Sequence, residues 1–479
     1  MTICILGRQP EIGLAELEAL YGAEHVKAVG TTCALVDVPV DFSRLGGTVK
    51  TAELLASTSG TLLRPALTKI TKLLPTLAAG LPEGKIKLGL SLYDFDIRPY
   101  DINGESLRLK KILRRDNHSV RVIPNETPAL SSAQTYHNSL ASELGLEFVV
   151  AHDESHTYIA RVTHVQNIDE YRIRDRERPK RDAFVGMLPP KLAQVIVNLA
   201  VGEVKGRRMK EEGRESDKEP HDKDKRVAQD GVAPTETKSI DFGEDGANSA
   251  TGPASSDLRG NPEGISNDGS GHTSLTILDP FCGTGVIPQE ALLMGYDVYG
   301  TDKSAKMIDY TAINLKWLQE GRKRADSREP TAESELREEG SDKAKKKSPA
   351  TGKVRLEVAD ATDHIWLQPI STIACEGYLG QPLGGQSPTT EKLHEIIHDS
   401  NGIMRDFLKN VAPQLATDAR LCVAMPAWFV SGVTHHLPVI DELEELGFTP
   451  VTFAHAPDGL VYRREDQVVG RELVVLKRR

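Results

Sequence analysis

Apolar residues recur along this chain in two rhythms. Alternation at every second position predicts strands, and recurrence at every third and fourth position predicts helices. In the first two hundred residues the first rhythm predicts strands at 1–6, 34–38, 86–92, 119–124, 146–152 and 157–165. The second predicts helices at 10–21, 103–115, 132–142 and 189–201. Both rhythms then fail in two places, at about 205–271 and about 319–352. These stretches are charged or rich in Gly, Ser, Asn and Pro, and they hold too few apolar residues to offset ordering entropy by burial. They read as disordered surface insertions. The pattern resumes with strands at 275–278, 297–300, 354–358, 371–375, 421–426 and 447–454, and with helices at 286–293 and 391–411. Segments 460–464 and 472–477 suit an antiparallel closing pair. The fold class expected is α/β, a Rossmann-like, mostly parallel sheet behind an amino-terminal α+β region.

The length of 479 residues allows two or three domains. The formal net charge of −10 argues mildly against a nucleic-acid partner, but much of the excess acid lies in the first insertion. Five scattered cysteines without a C-x-x-C pair favour a reducing cytoplasm and argue against a zinc site or a disulfide framework. The first residues read as a strand and not as a signal peptide. No apolar run is long enough to span a bilayer.

The most informative residues are Asp279, Pro280, Phe281, Cys282, Gly283, Thr284 and Gly285. They follow a buried-strand pattern and open a helix, and the next strand ends at Asp302. Strand, glycine turn, helix, strand and acid form the layout of a nucleoside crevice at the carboxyl ends of a parallel sheet. Asp302 stands where two ribose hydroxyls need an acceptor. A dinucleotide fold wants a third small residue where Pro288 stands, and Asp279 would repel a pyrophosphate. An acid there suits a cationic ligand with a free amine, and S-adenosylmethionine carries both a sulfonium and an amino group. Asp360, just past the strand at 354–358, is placed to reach the adenine amine.

Basic residues suggest an RNA partner. Lys111, Arg114 and Arg115 end one helix, and Arg172 and Arg174 begin a second basic stretch near the crevice. Two such elements would position a substrate through its phosphates.

The run from Tyr171 to Asp182, the string Gly186-Met187-Leu188-Pro189-Pro190-Lys191-Leu192-Ala193-Gln194 and Asn198-Leu199-Ala200 resemble THUMP-containing tRNA guanosine methyltransferases. The likeness continues through Asp279–Gly285, Asn314-Leu315, Tyr462-Arg463-Arg464 and Gly470-Arg471-Glu472. It is weaker in the amino half, at Leu130-Ser131-Ser132-Ala133 and Thr163-His164-Val165-Gln166. The resemblance implies a ferredoxin-like plus THUMP-like RNA-binding region at 1–168 and a methyltransferase domain at 169–479. It also implies that Leu188 and Pro189 line the cofactor crevice.

The family pattern breaks after the fourth catalytic strand. There an Asp or Asn, two prolines and an aromatic residue hold and stack the target amine; here the segment is Glu376-Gly377-Tyr378-Leu379-Gly380. An acid and an aromatic remain, so Glu376 is the expected amine acceptor and Tyr378 the expected stacking surface. The expected activity is methylation of the exocyclic amine of a guanosine in RNA, with tRNA the expected substrate. Two alternatives stay open: a non-catalytic RNA-binding protein that keeps the cofactor fold, and a methyltransferase for DNA or another substrate.

Overall fold

The computed structural model describes residues 1–182, 188–203, 275–326, 352–381, 383, 388–464 and 467–479, with the side chains of 322–326 excepted. The first expected insertion and Gly186-Met187 lie outside these residues, as does most of the second insertion. Its first part is helical, because α8, introduced below, continues to Asp326.

The first sheet contains β1 (Thr2–Leu6), β2 (Val26–Val29), β3 (Cys33–Val36), β4 (Thr48–Ser59), β5 (Lys85–Leu92), β6 (Ser119–Val122), β7 (Gly145–His152) and β8 (His156–Val165). Its order is β2-β3-β1-β4-β8-β7-β5-β6. Helices α1 (Pro10–Tyr21), α2 (Leu63–Ala79), α3 (Pro99–Arg115) and α4 (Ser132–His137) connect these strands. Period-two geometry divides the side chains cleanly: Ile3 and Ile5 of β1 enter one core, and Cys4 and Leu6 enter another. In β7, Leu146, Phe148 and Val150 likewise face away from Val149 and Ala151.

The sequence pattern does not reveal β4 or α2. In β4, Lys50 occupies an inward position and is 1% exposed. Its ammonium donates to Glu147 Oε1 at 2.6 Å and to the carbonyl of Leu130 at 2.9 Å. Glu147 also accepts from Ser91 and Thr135, so the buried charges are paired and hydrogen-bonded. Bulges between Thr51 and Ala52 and between Leu54 and Ala56 break the alternation further.

The second sheet contains β9 (Thr276–Asp279), β10 (Asp297–Asp302), β11 (Val354–Val358), β12 (Thr372–Glu376), β13 (Arg420–Val430), β14 (Val433–His435), β15 (Phe448–Pro450), β16 (Val461–Tyr462) and β17 (Val469–Arg478). The order is β11-β10-β9-β12-β13-β17-β15, with β14 on β13 and β16 on β17. The first five strands in that order run parallel, and β17 runs against both β13 and β15. This is a Rossmann-like sheet with an inserted antiparallel strand. Chain progression reverses between β9 and β12, which makes their carboxyl ends the topological switch point. Helices α5 (Ile168–Arg176), α6 (Pro190–Val201), α7 (Val286–Leu293), α8 (Ala305–Asp326) and α9 (Thr390–Val411) accompany it. Helices α6 and α7 share one core with the sheet. On α9, Leu393, Ile396, Met404, Phe407, Leu408 and Val411 enter the other core at helical spacing. No helix among the described residues is long and apolar enough to cross a membrane.

The two sheets are joined through α1. Its Ile12, Ala15 and Ala19 belong to the same core as Leu192, Val195 and Leu199 of α6. Within that contact lies a fully buried carboxyl group, Glu16. It accepts from the backbone N–H of Gly46 at 2.9 Å, from that of Gly47 at 2.8 Å and from the Asn198 amide at 2.7 Å. Asn198 also donates to the carbonyl of Arg44, and the Arg44 guanidinium donates to the Tyr296 hydroxyl at 2.6 Å. A second link runs from the backbone N–H groups of Ala454 and His455 to the Glu18 carboxylate. Glu16→Ala should therefore lower stability by about 2–4 kcal/mol, because it strands buried donors from both sheets. Urea unfolding measures this, and a loss under about 0.5 kcal/mol would show that the network does not join the sheets.

Candidate active site

Strand β9 delivers Asp279 to the switch point, and the chain turns through Pro280–Gly285 into α7. Gly283 and Gly285 have φ of 52° and 82°, in the left-handed region that glycine enters without steric cost. At Gly285 a Cβ would also lie 2.8 Å from Thr311 Cγ2. Helix α8 holds the turn from beneath. Thr311 donates to the carbonyl of Gly283 at 2.8 Å, and Asn314 donates to that of Thr284 at 2.9 Å. Asn314 also exchanges hydrogen bonds with the backbone of Lys180, which ties the basic stretch to the glycine turn. From the β10 side, Thr301 accepts the N–H of Cys282.

Three carboxyl groups converge here from three adjacent parallel strands. Asp279 is 2% exposed and accepts the N–H of Phe281 at 3.2 Å. Burial pushes its carboxyl well above the usual range, and the nearby charges of Asp302 and Glu376 push it further. Asp302 accepts from Gly283 N–H at 3.0 Å and from Ser304 N–H at 2.9 Å. Burial raises its carboxyl too, against those two hydrogen bonds. Each oxygen keeps a further lone pair for a ligand hydroxyl.

Glu376 ends β12, where the Arg471 guanidinium of β17 donates through Nε to its Oε1. Burial raises this carboxyl and Arg471 opposes the rise. After Glu376 the chain does not turn at once. Gly377 N–H bonds the carbonyl of Ala424 at 2.9 Å and extends the pairing with β13. A Cβ at Gly377 would lie 2.7 Å from Met404 Sδ, so the glycine permits close packing on α9.

A cleft of about 1280 Å³ opens over these strand ends. Pro280, Phe281, Asp302 and Asp360 line it toward β10, and Tyr378, Tyr462, Arg464 and Arg471 line it beyond β12. Pro189, which caps α6, borders it as well. Leu188 is buried and instead lines a small adjoining cavity with Asp279, Cys282, Gly283, Thr284 and Glu376. Tyr378 is 38% exposed at the rim. Asp360 accepts from Thr362 and, at 2.6 Å, from Lys303. Those bonds hold its carboxyl down, at about 2.

The basic residues divide. Lys111, Arg114 and Arg115 are exposed on α3, opposite its buried Ile102, Leu109 and Leu113. Arg172 is exposed but lies 2.7 Å from Glu177. Arg174 differs from the expectation of a phosphate contact. Its side chain is 13% exposed, donates to Glu290 of α7 at 2.8 Å and stacks on Tyr171. Its neighbours Arg176 and Arg181 line the cleft instead. Helical periodicity explains the difference: on α5, Arg174 shares a side with Tyr171 and Glu170, toward α7. The sequence pattern does not single out Arg471, Tyr462 or Arg464 as site residues, since only the strand order brings them here, nor Lys303, which follows Asp302 directly and reaches Asp360.

No protein-family model matches the chain, and no curated protein matches it. Among solved structures it is similar to TrmN from Thermus thermophilus, at 13% identity and TM-score 0.43, over 100% of this chain and 99% of that one. It is similar to a possible methylase from Clostridium difficile 630, at 10% identity and TM-score 0.39, over 88% of each chain. It is also similar to an rRNA methylase from Streptococcus thermophilus, at 15% identity and TM-score 0.25, over 43% of this chain and 88% of that one.

The buried Asp279 carboxyl makes the fold sensitive to pH in a defined direction. A carboxyl raised by folding favours the folded state fully below its unfolded value of about 3.9, and that contribution is lost as pH rises through the folded value. Asp279→Asn should remove this loss. Urea titrations at acid, neutral and mildly alkaline pH should show the variant gaining on the wild type as pH rises, and a constant difference would refute the assignment.

Proposed function

We propose that the crevice binds S-adenosylmethionine and that the chain is an RNA methyltransferase acting on the exocyclic amine of a guanosine, with tRNA as its substrate. The observation that carries this reading is the convergence of Asp279, Asp302 and Glu376 around the glycine turn at the switch point. The residues fit the cofactor. The left-handed Gly283 and Gly285 hold the turn tight over the strand ends, with Gly285 packed where a Cβ would meet Thr311 of α8. Asp302 retains lone pairs for ribose hydroxyls, and the buried acid Asp279 favours a cationic group. Asp360, fixed by Lys303 and Thr362, borders the same side of the cleft and would take the adenine amine. When bound, S-adenosylmethionine supplies an electrophilic methyl on sulfur, and the S–C bonding pair leaves with the thioether.

The chain's own residues then orient the amine and remove its proton. Glu376 Oε2 accepts a hydrogen bond from the amine, which turns the nitrogen lone pair out of the ring, and takes the proton released as the new N–C bond forms. Tyr378, at the rim, stacks on a base extruded from its helix. Proximity and orientation supply most of the acceleration. The exposed cations Lys111, Arg114 and Arg115 of the first sheet hold phosphates away from the cleft. A second reading, an RNA-binding protein without turnover, is favoured by the Arg471 contact on Glu376, since one oxygen of the acceptor is already engaged. Turnover with labelled cofactor and total tRNA separates the two.

Asp302→Ala should weaken S-adenosylmethionine binding roughly ten- to a hundredfold, the cost of losing a charged acceptor. Calorimetry decides it, and a wild type that does not bind the cofactor would end the enzyme reading. Glu376→Gln should cut single-turnover rates by about 10²-fold with cofactor affinity kept. Tyr378→Ala should reduce rate and RNA affinity together.

Charge reversal at Lys111, Arg114 and Arg115 should weaken RNA binding alike across sequences. It should also flatten the dependence of log affinity on log salt by roughly one for each phosphate that is no longer neutralised. Fluorescence anisotropy with tRNA over a salt series reads both effects. An unchanged slope would move the RNA surface elsewhere.

A further inference from the structure

We infer that Arg471 is a positioning residue that fixes Glu376 as the acceptor for the substrate amine. This inference rests on the reading of Glu376 given above. Arg471 comes from the antiparallel strand β17, and its side chain is 8% exposed. It binds Glu376 through Nε to Oε1 only. Oε2 carries no hydrogen bond among the described residues, while Glu376 borders both the cleft and the small cavity under the glycine turn. The engaged oxygen therefore anchors the carboxylate, and the other is left for substrate.

The loop after β12 supplies little other restraint on Glu376. Gly377 follows it with a backbone bond to Ala424, and among the described residues no side chain but that of Arg471 hydrogen-bonds the carboxylate. A glutamate has one more rotatable bond than an aspartate, so an unanchored Glu376 would scatter over several rotamers. A charge-assisted bond to a guanidinium removes that freedom. Arg471 is itself placed by register, because Arg471 pairs with Pro426 and its neighbour Glu472 with Met425.

The charged and titratable groups nearest Glu376 include Asp279 from β9, the buried Cys375 thiol beside it and Arg471 from β17, while Asp302, Lys303, Asp360, Tyr378, Asp406, Tyr462 and Arg464 are among those that line the cleft. Among the described residues, Arg471 is the cation in contact with it. Burial drives the carboxyl toward its protonated form, in which an oxygen becomes a donor and no longer takes a proton from the amine. Removing Arg471 should therefore move the rate limb governed by Glu376 to higher pH. Arg471→Gln should turn over at least about tenfold more slowly at neutral pH and recover as pH rises, whereas Arg471→Lys should return the limb toward the wild-type position.

The test is single-turnover methylation of total tRNA from pH 5.5 to 9 by the full chain. Wild type, Arg471→Gln, Arg471→Lys, Glu376→Gln and the double variant Glu376→Gln with Arg471→Gln are compared. If Arg471 acts through Glu376, the double variant is no slower than Glu376→Gln alone. S-adenosylmethionine affinity, read by calorimetry, should stay within about threefold in every variant. An unshifted pH limb in both Arg471 variants, or fully multiplicative losses in the double variant, overturns the inference and leaves Arg471 a packing residue. Should Arg471→Gln fail to fold, the limb of Arg471→Lys and its cofactor affinity decide. A wild type without cofactor binding or turnover defeats the reading of the site itself, a result distinct from either.

Discussion

Three carboxyl groups brought to the end of one parallel sheet set the problem that the surrounding structure solves. Asp279, Asp302 and Glu376 end β9, β10 and β12. Like charges in a half-enclosed site raise one another's proton affinity, and burial adds to the effect. The protein meets this differently at each position. Asp302 is held by two backbone N–H groups, Glu376 by a guanidinium, and Asp279 by one backbone N–H with its carboxyl pushed well up. What remains is a crevice with surplus acceptor capacity. The glycine turn matters because its left-handed residues let the chain leave β9 and pack on Thr311 of α8 beside the acids.

The same logic of paired burial extends beyond the crevice. Glu16 joins the sheets through backbone and amide donors, and Lys50 joins β4 to β7 through Glu147. Asn314 joins the glycine turn to the basic stretch at Lys180. The glycine turn and the basic stretch are thus fastened to one buried amide. The first sheet, with its exposed cations on α3, is attached to the second by a shared apolar core. Movement of one sheet against the other would expose Glu16 and the apolar side chains of α1 together.

The segment after β12 is held by close packing and by one ion pair. Glu376 ends β12, and at Gly377 the strand pairing runs on by a residue. Close packing on Met404 needs Gly377, and Arg471 restrains Glu376 from across β13.

Sequence pattern alone determined much of this protein. Strands β1, β7, β8 and β9 and helices α1 and α6 are legible because local periodicity matches the face each element buries. The glycine turn and Asp302 are legible because the crevice requires a left-handed turn and an acid at fixed places along a single strand-helix-strand unit. Tertiary structure decided the rest. Strand β4 was hidden by Lys50, an inward charge whose partner lies 97 residues away. Arg174 reads as a surface cation until Glu290, 116 residues on, takes it inside. Arg471 reaches Glu376 across 95 residues because β17 inserts antiparallel beside β13. Periodicity records what each residue does with its helical or strand neighbours. It carries no record of which distant charge will meet it, because that depends on strand order and register, which are set only when the whole sheet closes.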